Sequence, residues 1–351
     1  MLTYWKKYCL NFKQPATTSR DTLTQKPSWF LFIQDIESNL FGVGECSPLA
    51  GLSIDDLSCF EKKLDEVCHA IQHDKIDCLQ SLQSFPAIQF GLEMALLDLA
   101  TGNHPLFPST FTEGKKGIPV NGLIWMSNWQ NMRQQIEAKL NQGCFCLKLK
   151  IGAVDFVEEY EFLKGIRHQY SADNLEIRVD ANGAFSPDEA LDKLKKLADL
   201  DIHSIEQPIA AGQIEAMADL VEKSPLAIAL DEELIGISDQ KTKAYLLDSI
   251  KPDYIILKPS LIGGFAQATQ WINLAQQRLT NWWVTSALES NVGLNAISQW
   301  TASLNNPLPQ GLGTGLLYTN NIPSALSLQQ GYLYYEPAAY QSFSEAFNRL
   351  D

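Results

Sequence analysis

Short apolar stretches alternate with segments of helical periodicity over much of the chain. The repeat begins near residue 118, and each strand-like stretch is followed by a segment whose apolar residues recur every three or four positions. The stretches cover 118–125, 145–151, 175–181, 203–208, 227–232, 254–259 and 282–287. Such repeated strand-then-helix units predict an α/β fold, a modified TIM barrel of the (β/α)7β type, with the segment 310–315 as its last strand.

A doubly wound open sheet is the alternative arrangement for this alternation. That fold usually carries Gly-x-Gly-x-x-Gly directly after its first strand, and no such motif follows the first stretch here. The glycine-rich segment 311–315 comes last and contains no lysine, so it is weak evidence for a phosphate-binding loop. The pattern therefore favours the barrel.

The first part of the chain has a different pattern, which predicts a separate α+β unit. Residues 29–36 and 41–45 have the composition of paired strands. Residues 54–80 and 86–100 show the spacing of amphipathic helices. The polar segment 14–28 has the composition of a mobile surface loop.

These patterns divide the chain into three predicted parts. The α+β unit covers residues 1–115, and the barrel covers 116–322. A tail at 323–351, which is rich in tyrosine, is expected to pack back on the first unit.

The charge balance narrows the classes of partner. Among 351 residues, 27 are Lys or Arg and 41 are Asp or Glu, which gives a formal net charge of −14. An acidic chain of this kind is unsuited to nucleic acid or to an anionic membrane surface as its main partner. We therefore expect a small-molecule partner, while the sequence leaves the oligomeric state open.

Cysteine usage and apolar run lengths indicate a cytoplasmic protein. The seven cysteines are odd in number and form no Cys-x-x-Cys pair, so we expect them to be reduced. No apolar run approaches the roughly 20 residues of a membrane-spanning helix. The first residues also lack the order of charged and apolar positions found in a secretory signal.

Charged side chains stand at the ends of five consecutive predicted strands. In chain order they are Lys148 with Lys150, Asp180, Glu206, Asp231 with Glu232, and Lys258. A single lysine at a strand end is usually solvated, and a single aspartate there often caps the next helix. Active sites of α/β barrels lie at the carboxyl ends of the strands, so the ordered set favours a catalytic role.

The three acids in the middle of this set predict a metal site. Asp180, Glu206 and Asp231 are each separated by one strand-and-helix unit, so they are expected at one mouth of the barrel. When several carboxylates lie close together, their repulsion favours protonation of at least one of them unless a cation neutralises the charge. Oxygen ligands select a hard cation, and Mg²⁺ fits best, with Mn²⁺ as a substitute.

The lysines on either side of the acids suit proton transfer. Lys148 and Lys150 lie two apart on one strand and therefore share a face, and Lys258 comes from the opposite side of the ring. Lys150 and Lys258 are thus expected to face each other across the metal. This arrangement suits removal of a proton next to a carboxylate, with the metal stabilising the enediolate.

These motifs resemble those of the enolase superfamily, and specifically its muconate-lactonizing subgroup. The matching motifs are Lys-x-Lys at 148–150, Asp-x-Asn at 180–182, Glu-Gln-Pro at 206–208, Asp-Glu at 231–232 and Lys-Pro at 258–259. Further likeness lies at 44–53, 118–126, 285–302 and 310–321. The resemblance implies that the first unit and the tail together form a capping domain over the barrel.

The resemblance also implies a reaction and a role for each motif residue. It implies Asp180, Glu206 and Asp231 as Mg²⁺ ligands, Lys150 as base and then acid, Lys258 as the group that stabilises the enediolate, and Lys148 as a neighbouring cation that contacts the substrate carboxylate. The implied reaction is dehydration of 2-succinyl-6-hydroxy-2,4-cyclohexadiene-1-carboxylate to o-succinylbenzoate in menaquinone biosynthesis.

Substrate contacts are expected around this centre. The residues are Asn182, Ser260, Gly263, Gly264, Ser286, Glu289 and Arg20. The loop around Arg20 and the segment 44–53 would close over the substrate. Backbone amides near Gly263 and Gly264 and the Ser286 hydroxyl would contact the succinyl arm.

Two rival activities share the same lysines and acids, namely dipeptide epimerization and racemization of N-succinylamino acids. Dipeptide epimerases typically carry Asp-x-Asp on strand eight, which the segment 310–315 lacks. This difference favours dehydration, although racemization remains open as a side activity. An inactive barrel that serves as a binding module is disfavoured because the lysine and acid set is intact.

Overall fold

The computed structural model describes residues 1–17, 22–55, 57–73, 82–102, 104–343 and 345. These residues form an antiparallel three-stranded sheet, a parallel seven-stranded sheet and a second small antiparallel sheet. No helix among them is long and apolar enough to cross a membrane. The six cysteines that lie in this part of the chain are free, as expected, and Cys78 lies outside it.

The first sheet and two helices form the amino-terminal unit. Its elements are β1 (Leu2–Thr17), β2 (Thr22–Asp35), β3 (Leu40–Cys46), α1 (Phe60–Gln72) and α2 (Pro86–Thr101). The strands pair in the order β1-β2-β3, and both neighbouring pairs are antiparallel. A Cβ atom on Gly44 would lie 1.7 Å from the carbonyl oxygen of Gly91, so β3 and α2 pack with their backbones in close approach.

The prediction of a mobile loop over residues 14–28 is wrong for the described part of that segment. Residues 14–17 belong to β1 and residues 22–28 belong to β2, with Ala16 opposite Leu23 and Thr17 opposite Thr22. A register shift between Asn11 and Ala16 interrupts the pairing. Most of the polar side chains that suggested a loop are the exposed positions of these two long strands.

The parallel sheet begins after a short connecting strand, β4 (Ile118–Pro119). Its strands are β5 (Gly122–Ile124), β6 (Cys146–Lys150), β7 (Glu176–Asp180), β8 (Ser204–Glu206), β9 (Ile228–Leu230), β10 (Tyr254–Leu257) and β11 (Asn281–Val284). The helices are α3 (Trp129–Asn141), α4 (Phe156–Gln169), α5 (Pro187–Ala198), α6 (Ile214–Lys223), α7 (Gln240–Ile250), α8 (Pro259–Ile262), α9 (Gly264–Gln276) and α10 (Asn291–Ser303). Neighbouring strands follow chain order, as predicted for a barrel.

Residues 310 and 311 connect the two edges of this curled sheet. Gln310 forms a parallel bridge with Val120 beside β5, and Gly311 forms one with Thr285 at the end of β11. The Gly311 amide donates to the Val284 carbonyl oxygen at 2.8 Å. The segment predicted as the last strand therefore closes the ring, although only through these isolated bridges.

The predicted first barrel strand, 118–125, is divided between two sheets. Its beginning, β4, pairs with the tail strand β13 (Tyr332–Tyr335), which also pairs with β12 (Leu326–Gln329). The Tyr335 ring lies 5.7 Å from that of Phe111, between centroids. The tail thus contacts β4, which precedes the first strand of the parallel sheet, and also Phe111 in the segment before β4. The domain limits at 115 and 322 stay a prediction.

A buried arginine fills the barrel interior below the strand ends. Arg178 is 1% exposed and its guanidinium carbon lies 4.1 Å from the centroid of the Trp283 ring, which comes from the non-adjacent strand β11. The guanidinium also donates to Glu176 at 2.6 Å and to the Pro309 carbonyl oxygen at 2.9 Å. Arg178 therefore connects three parts of the barrel wall through its interior.

We expect Arg178→Met to lower the free energy of unfolding by about 2 kcal/mol, because it leaves the Pro309 carbonyl oxygen and the partly buried Glu176 carboxylate without the guanidinium as their partner. Chemical denaturation measures the change. The matched control is Lys164→Met, in the exposed Lys164–Glu161 pair whose side chains are 54% and 59% accessible. That variant should stay within about 0.5 kcal/mol of wild type. Equal stability of the two variants would contradict a structural role for Arg178.

Candidate active site

The carboxyl ends of β6 to β10 bring the predicted lysines and acids together. Strand pairing places Lys150 beside Asp180 and Asp180 beside Glu206 in register. All six side chains are buried, with exposed fractions of 8% or less for Lys148, Lys150, Lys258, Asp180, Glu206 and Asp231. The spatial arrangement predicted from the strand spacing is therefore present, with the acids between the lysines.

Lys148 lies between two of the carboxylates. Its Nζ is 2.8 Å from Asp180 Oδ2 and 2.5 Å from Glu206 Oε2. Burial on its own would lower the pKa of Lys148, but the charges of Asp180, Glu206 and Asp231 outweigh it and raise that pKa above its usual value. The surrounding carboxylates therefore favour the charged form of Lys148.

Lys150 has a different environment although it lies only two residues away. Its Nζ donates to Asp180 Oδ2 at 2.5 Å and to Asn182 Oδ1 at 2.8 Å. Burial lowers the pKa of Lys150, and the positive charges of Lys148 and Lys258 lower it further against the pull of Asp180. Lys150 thus reaches its neutral form more readily than Lys148.

Lys258 completes the set from the end of β10. Its Nζ donates to Asp231 Oδ2 and lies 3.7 Å from Glu206 Oε1. Burial opposes its charge, but Asp231 and Glu206 raise the pKa of Lys258 above its usual value. Like Lys148, Lys258 keeps its positive charge.

The pKa values of Asp180 and Glu206 are shifted in opposite directions. Burial would raise the pKa of Asp180, but the charges of Lys148 and Lys150 hold it well below the usual range. Burial, together with the neighbouring charge of Asp180, raises the pKa of Glu206 to about 7. Glu206 Oε1 is buried and has no hydrogen-bond partner among the described residues. This carboxylate therefore has an oxygen available to a further positive group.

The donor chemistry of these acids fits a hard divalent cation. Three carboxylates supply only oxygen, and Oε1 of Glu206 has no hydrogen-bond partner among the described residues. Within the described residues, however, no three His, Cys, Asp or Glu side chains are already grouped around one point. Lysine ammonium groups neutralise the acids instead, through the Lys148, Lys150 and Lys258 contacts.

A cavity with an apolar wall lies directly above the charged set. Lys148, Lys150 and Lys258 line it together with Leu49, Leu52, Leu123, Trp125 and Leu288. Leu49 and Leu52 come from the amino-terminal unit, within the segment 44–53 that was expected to close over the substrate. An organic ligand in this cavity would have charged groups on one side and apolar side chains on the other.

Of the predicted substrate contacts, Asn182 and Ser286 line the cavity. Asn182 also donates to Glu232 Oε1 at 3.0 Å. The Ser286 hydroxyl donates to Glu289 Oε2 at 2.6 Å and accepts from the Leu288 amide and from Thr314 Oγ1. One hydroxyl has one donor and two acceptor positions, so any substrate bond to Ser286 would replace one of these.

Glu289 and Ser260 lie behind the cavity wall. Both are fully buried, and neither belongs to the residues that line the cavity. The Glu289 carboxylate accepts from the Ser260 hydroxyl, from the Ser286 hydroxyl and from the Ala287 amide. Direct substrate contact by these two residues stays a prediction, and their observed contacts orient Ser286.

Gly263 and Gly264 pack against α2 rather than into the cavity. A Cβ atom on Gly264 would lie 2.1 Å from Glu93 Oε2, and one on Gly263 would lie 3.1 Å from Gln89 Oε1. The amides that follow, Phe265 and Ala266, donate to Glu93 at 2.6 and 3.0 Å. These amides therefore anchor the amino-terminal unit on the barrel. Arg20, the remaining predicted contact, lies outside the described residues.

Glu45 makes a second connection between the two units. Its carboxylate accepts from the Ser290 amide at 2.9 Å, from the Ser290 hydroxyl at 2.5 Å and from the Gly293 amide at 2.9 Å. These donors lie at the start of α10, where the helix dipole favours a negative charge. The connection fixes the start of the segment that carries Leu49 and Leu52 over the cavity.

The sequence did not single out Asn121 and Thr285, which also line the cavity. Asn121 lies just before β5 and Thr285 directly follows β11, next to the strand-eight glycines. Thr285 follows its strand and so fits the carboxyl-end rule that located the lysines, whereas Asn121 precedes its strand and does not fit that rule. They escaped because uncharged side chains at a strand end give no contrast against an apolar run.

Comparison with known proteins identifies the family. The model named Enolase C-terminal domain-like matches residues 131–337. The o-succinylbenzoate synthase of Desulfotalea psychrophila is 49% identical, over 94% of this chain and 97% of that protein. The crystal structure of MenC from Desulfotalea psychrophila LSv54 has a TM-score of 0.86 at 46% identity and covers 95% of this chain and 99% of that chain.

A dipeptide epimerase has the same fold at much lower sequence similarity. The enzyme from Enterococcus faecalis, crystallised with Mg and the dipeptide L-Leu-L-Tyr, has a TM-score of 0.83 at 20% identity, covering 95% of this chain and 96% of that chain. Identity at that level shows the fold alone. The match to the synthase extends over nearly the whole of both chains, and the predicted family and fold class are confirmed. The chain belongs to the o-succinylbenzoate synthase family of the enolase superfamily.

Proposed function

We propose that the cavity above β6 to β10 is where this lyase forms o-succinylbenzoate, with Lys150 as the group that carries the reacting proton. The observation that supports this role is the unequal environment of the three lysines. Burial and neighbouring cations lower the pKa of Lys150, whereas carboxylates raise the pKa of Lys148 and Lys258. One lysine is thus prepared to accept a proton while two remain charged.

Asp180, Glu206 and Asp231 would hold the Mg²⁺ that enzymes of the enolase superfamily use, with Mn²⁺ as a substitute. When bound, the ion supplies positive charge beside the substrate carboxylate. Three oxygen donors and the unsatisfied Oε1 of Glu206 support this assignment. The three carboxylates would then interact with both the ion and the lysine ammonium groups.

Lys150 removes the ring proton next to the carboxylate as a neutral amine and becomes an ammonium. The electron pair left on the ring carbon moves into the carboxylate and forms an enediolate. That pair then returns to form the ring double bond while the carbon–oxygen bond to the 6-hydroxyl breaks. Lys150 gives its proton to the departing hydroxide, so water leaves and the amine is regenerated. The aromatic ring of the product makes this step favourable.

The two charged lysines stabilise negative charge on the substrate. Lys258, from the opposite side of the site, would stabilise the enediolate. Lys148, held by Asp180 and Glu206, adds a fixed positive charge beside Lys150 and contacts the substrate carboxylate. Both are pre-positioned by buried ion pairs, so little reorganisation accompanies the reaction.

The experiment for this function is the formation of o-succinylbenzoate from the cyclohexadiene carboxylate, followed with Mg²⁺ present in wild type and in Lys150→Ala. Wild type should turn over, and the variant should lose about 100- to 10,000-fold in kcat because its proton carrier is gone. Binding of o-succinylbenzoate, measured by calorimetry, should persist in the variant.

Lys164→Ala is the matched control because Lys164 is exposed and pairs with Glu161 in its own helix, away from the cavity. It should keep wild-type turnover. Near-normal kcat in Lys150→Ala would refute the role of Lys150. A wild-type protein that forms no o-succinylbenzoate but exchanges the α-proton of a dipeptide in D₂O would be an epimerase instead.

Metal removal tests the carboxylate assignment. EDTA should reduce turnover to background, and Mg²⁺ or Mn²⁺ should restore it, because the substrate carboxylate then lacks its main positive neighbour. Calorimetry should show Mg²⁺ binding to wild type and its loss in Asp231→Asn. Asp248→Asn, an exposed acid paired with Arg278, should bind Mg²⁺ normally. Indifference to EDTA, or Mg²⁺ binding unchanged in Asp231→Asn, would refute the site.

A further inference from the structure

A second cavity lies between β6, α3 and α4. Its volume is about 210 Å³, and most of the side chains that line it are apolar, among them Met132, Phe162 and Leu163. Lys150 lines this cavity as well as the substrate cavity described above. Since Lys150 borders a cavity on two sides, close packing of neighbouring side chains does not by itself fix its position.

Glu159 is the acidic side chain in the lining of this second cavity. It lies in the first turn of α4 and is 4% exposed, whereas its neighbour Glu158 is exposed. The helix dipole favours an acid in the first turn, and Glu158 has that benefit while it remains in solvent. The dipole therefore does not account for the burial of Glu159, which is costly unless hydrogen bonds offset it.

The Glu159 carboxylate reaches back to the turn that follows Lys150. Its Oε1 accepts from the Gly152 amide at 2.7 Å and makes a longer contact of 3.5 Å with the Val154 amide. Its Oε2 is buried and has no hydrogen-bond partner in the part of the chain that the structure describes. Within that part, amides of the turn 151–154 are thus the hydrogen-bond donors to this carboxylate.

The turn is also held from the side of β7. Gly152 has a φ of 93°, and a Cβ atom there would lie 2.6 Å from Ala184 Cβ. The Ile151 amide donates to the Asp180 carbonyl oxygen at 2.9 Å. The backbone that leaves Lys150 therefore passes between the chain around the end of β7 and the carboxylate of Glu159.

We propose that Glu159 is a positioning residue for the reaction, which holds the turn 151–154 and thereby keeps the Lys150 amine beside the reacting carbon. The inference rests on the proposed function, in which Lys150 carries the proton. Because Lys150 leads directly into this turn, a shift of the Gly152 backbone moves the base of its side chain. A displacement of about 1 Å can lower a rate about 100-fold. Glu159 does not line the substrate cavity, so it acts through Lys150.

The variant Glu159→Leu removes the acceptor and places an apolar side chain beside an apolar cavity. With Mg²⁺ present, its kcat for formation of o-succinylbenzoate should fall about 10- to 100-fold. Its affinity for o-succinylbenzoate, measured by calorimetry, should change less than about 2-fold, because the side chain touches no ligand. Glu159→Gln keeps an acceptor oxygen and should restore kcat to within about 3-fold of wild type. Glu158→Leu, the same change at the exposed neighbour, should match wild type.

Hydrogen–deuterium exchange examines the turn without substrate. In Glu159→Leu the amides of 151–154 should exchange at least about 10-fold faster than in wild type, because the Gly152 amide loses its acceptor. Glu159→Gln and Glu158→Leu should exchange as wild type does. Unchanged exchange at 151–154 in Glu159→Leu would overturn the inference.

The Lys150→Ala background separates a positioning role from general damage to the site. If Glu159 acts through Lys150, adding Glu159→Leu should lower the residual kcat of Lys150→Ala by less than about 2-fold. A further drop of about 10-fold would overturn the inference, as would wild-type kcat in Glu159→Leu or equal losses of its kcat and affinity. Wild-type protein that forms no o-succinylbenzoate would refute the proposed function separately, since the exchange measurement needs no turnover.

Discussion

The fold brings three lysines and three carboxylates from five adjacent strands into one buried cluster, and the rest of the site depends on their mutual neutralisation. Each charge alone would be costly to bury, and the cluster is tolerable because every lysine contacts a carboxylate within the described structure. The in-register pairing of β6, β7 and β8 fixes these contacts. A shift of one residue in β6 would turn both lysines away from the acids.

The cluster separates the lysines into two kinds by their surroundings. Lys148 contacts two carboxylates and keeps its charge, whereas Lys150 is held by Asp180 and by the neutral amide of Asn182. The sequence pattern alone did not tell whether the pKa of Lys150 is raised or lowered, because both cations and acids were expected around this side chain. In the structure, burial and the neighbouring cations lower it, which is the condition for a base.

The sequence predicted the charged cluster well because two simple rules apply to it. Strand alternation placed Lys148 and Lys150 on one face, and parallel strands end at one edge of a sheet. Rules of this kind do not reveal how a hydroxyl distributes its hydrogen bonds, as at Ser286. Nor do they show that Gly264 faces α2, since this depends on how the two units pack. Composition also failed at residues 22–28, where Thr22, Thr24 and Gln25 are exposed positions of a strand and Lys26 and Ser28 are buried polar residues of the same strand.

Contacts between the two units complete the site, since Glu45 and Glu93 accept amide hydrogens from barrel helices and Leu49 and Leu52 cover the cavity.

A crystal structure of the protein grown with Mg²⁺ and o-succinylbenzoate tests the proposed metal site and the roles of the lysines most directly. We expect the ion on Asp180, Glu206 and Asp231, with the aromatic ring between Lys150 and Lys258. An ion bound elsewhere, or a ring carboxylate directed away from the lysines, would contradict these assignments.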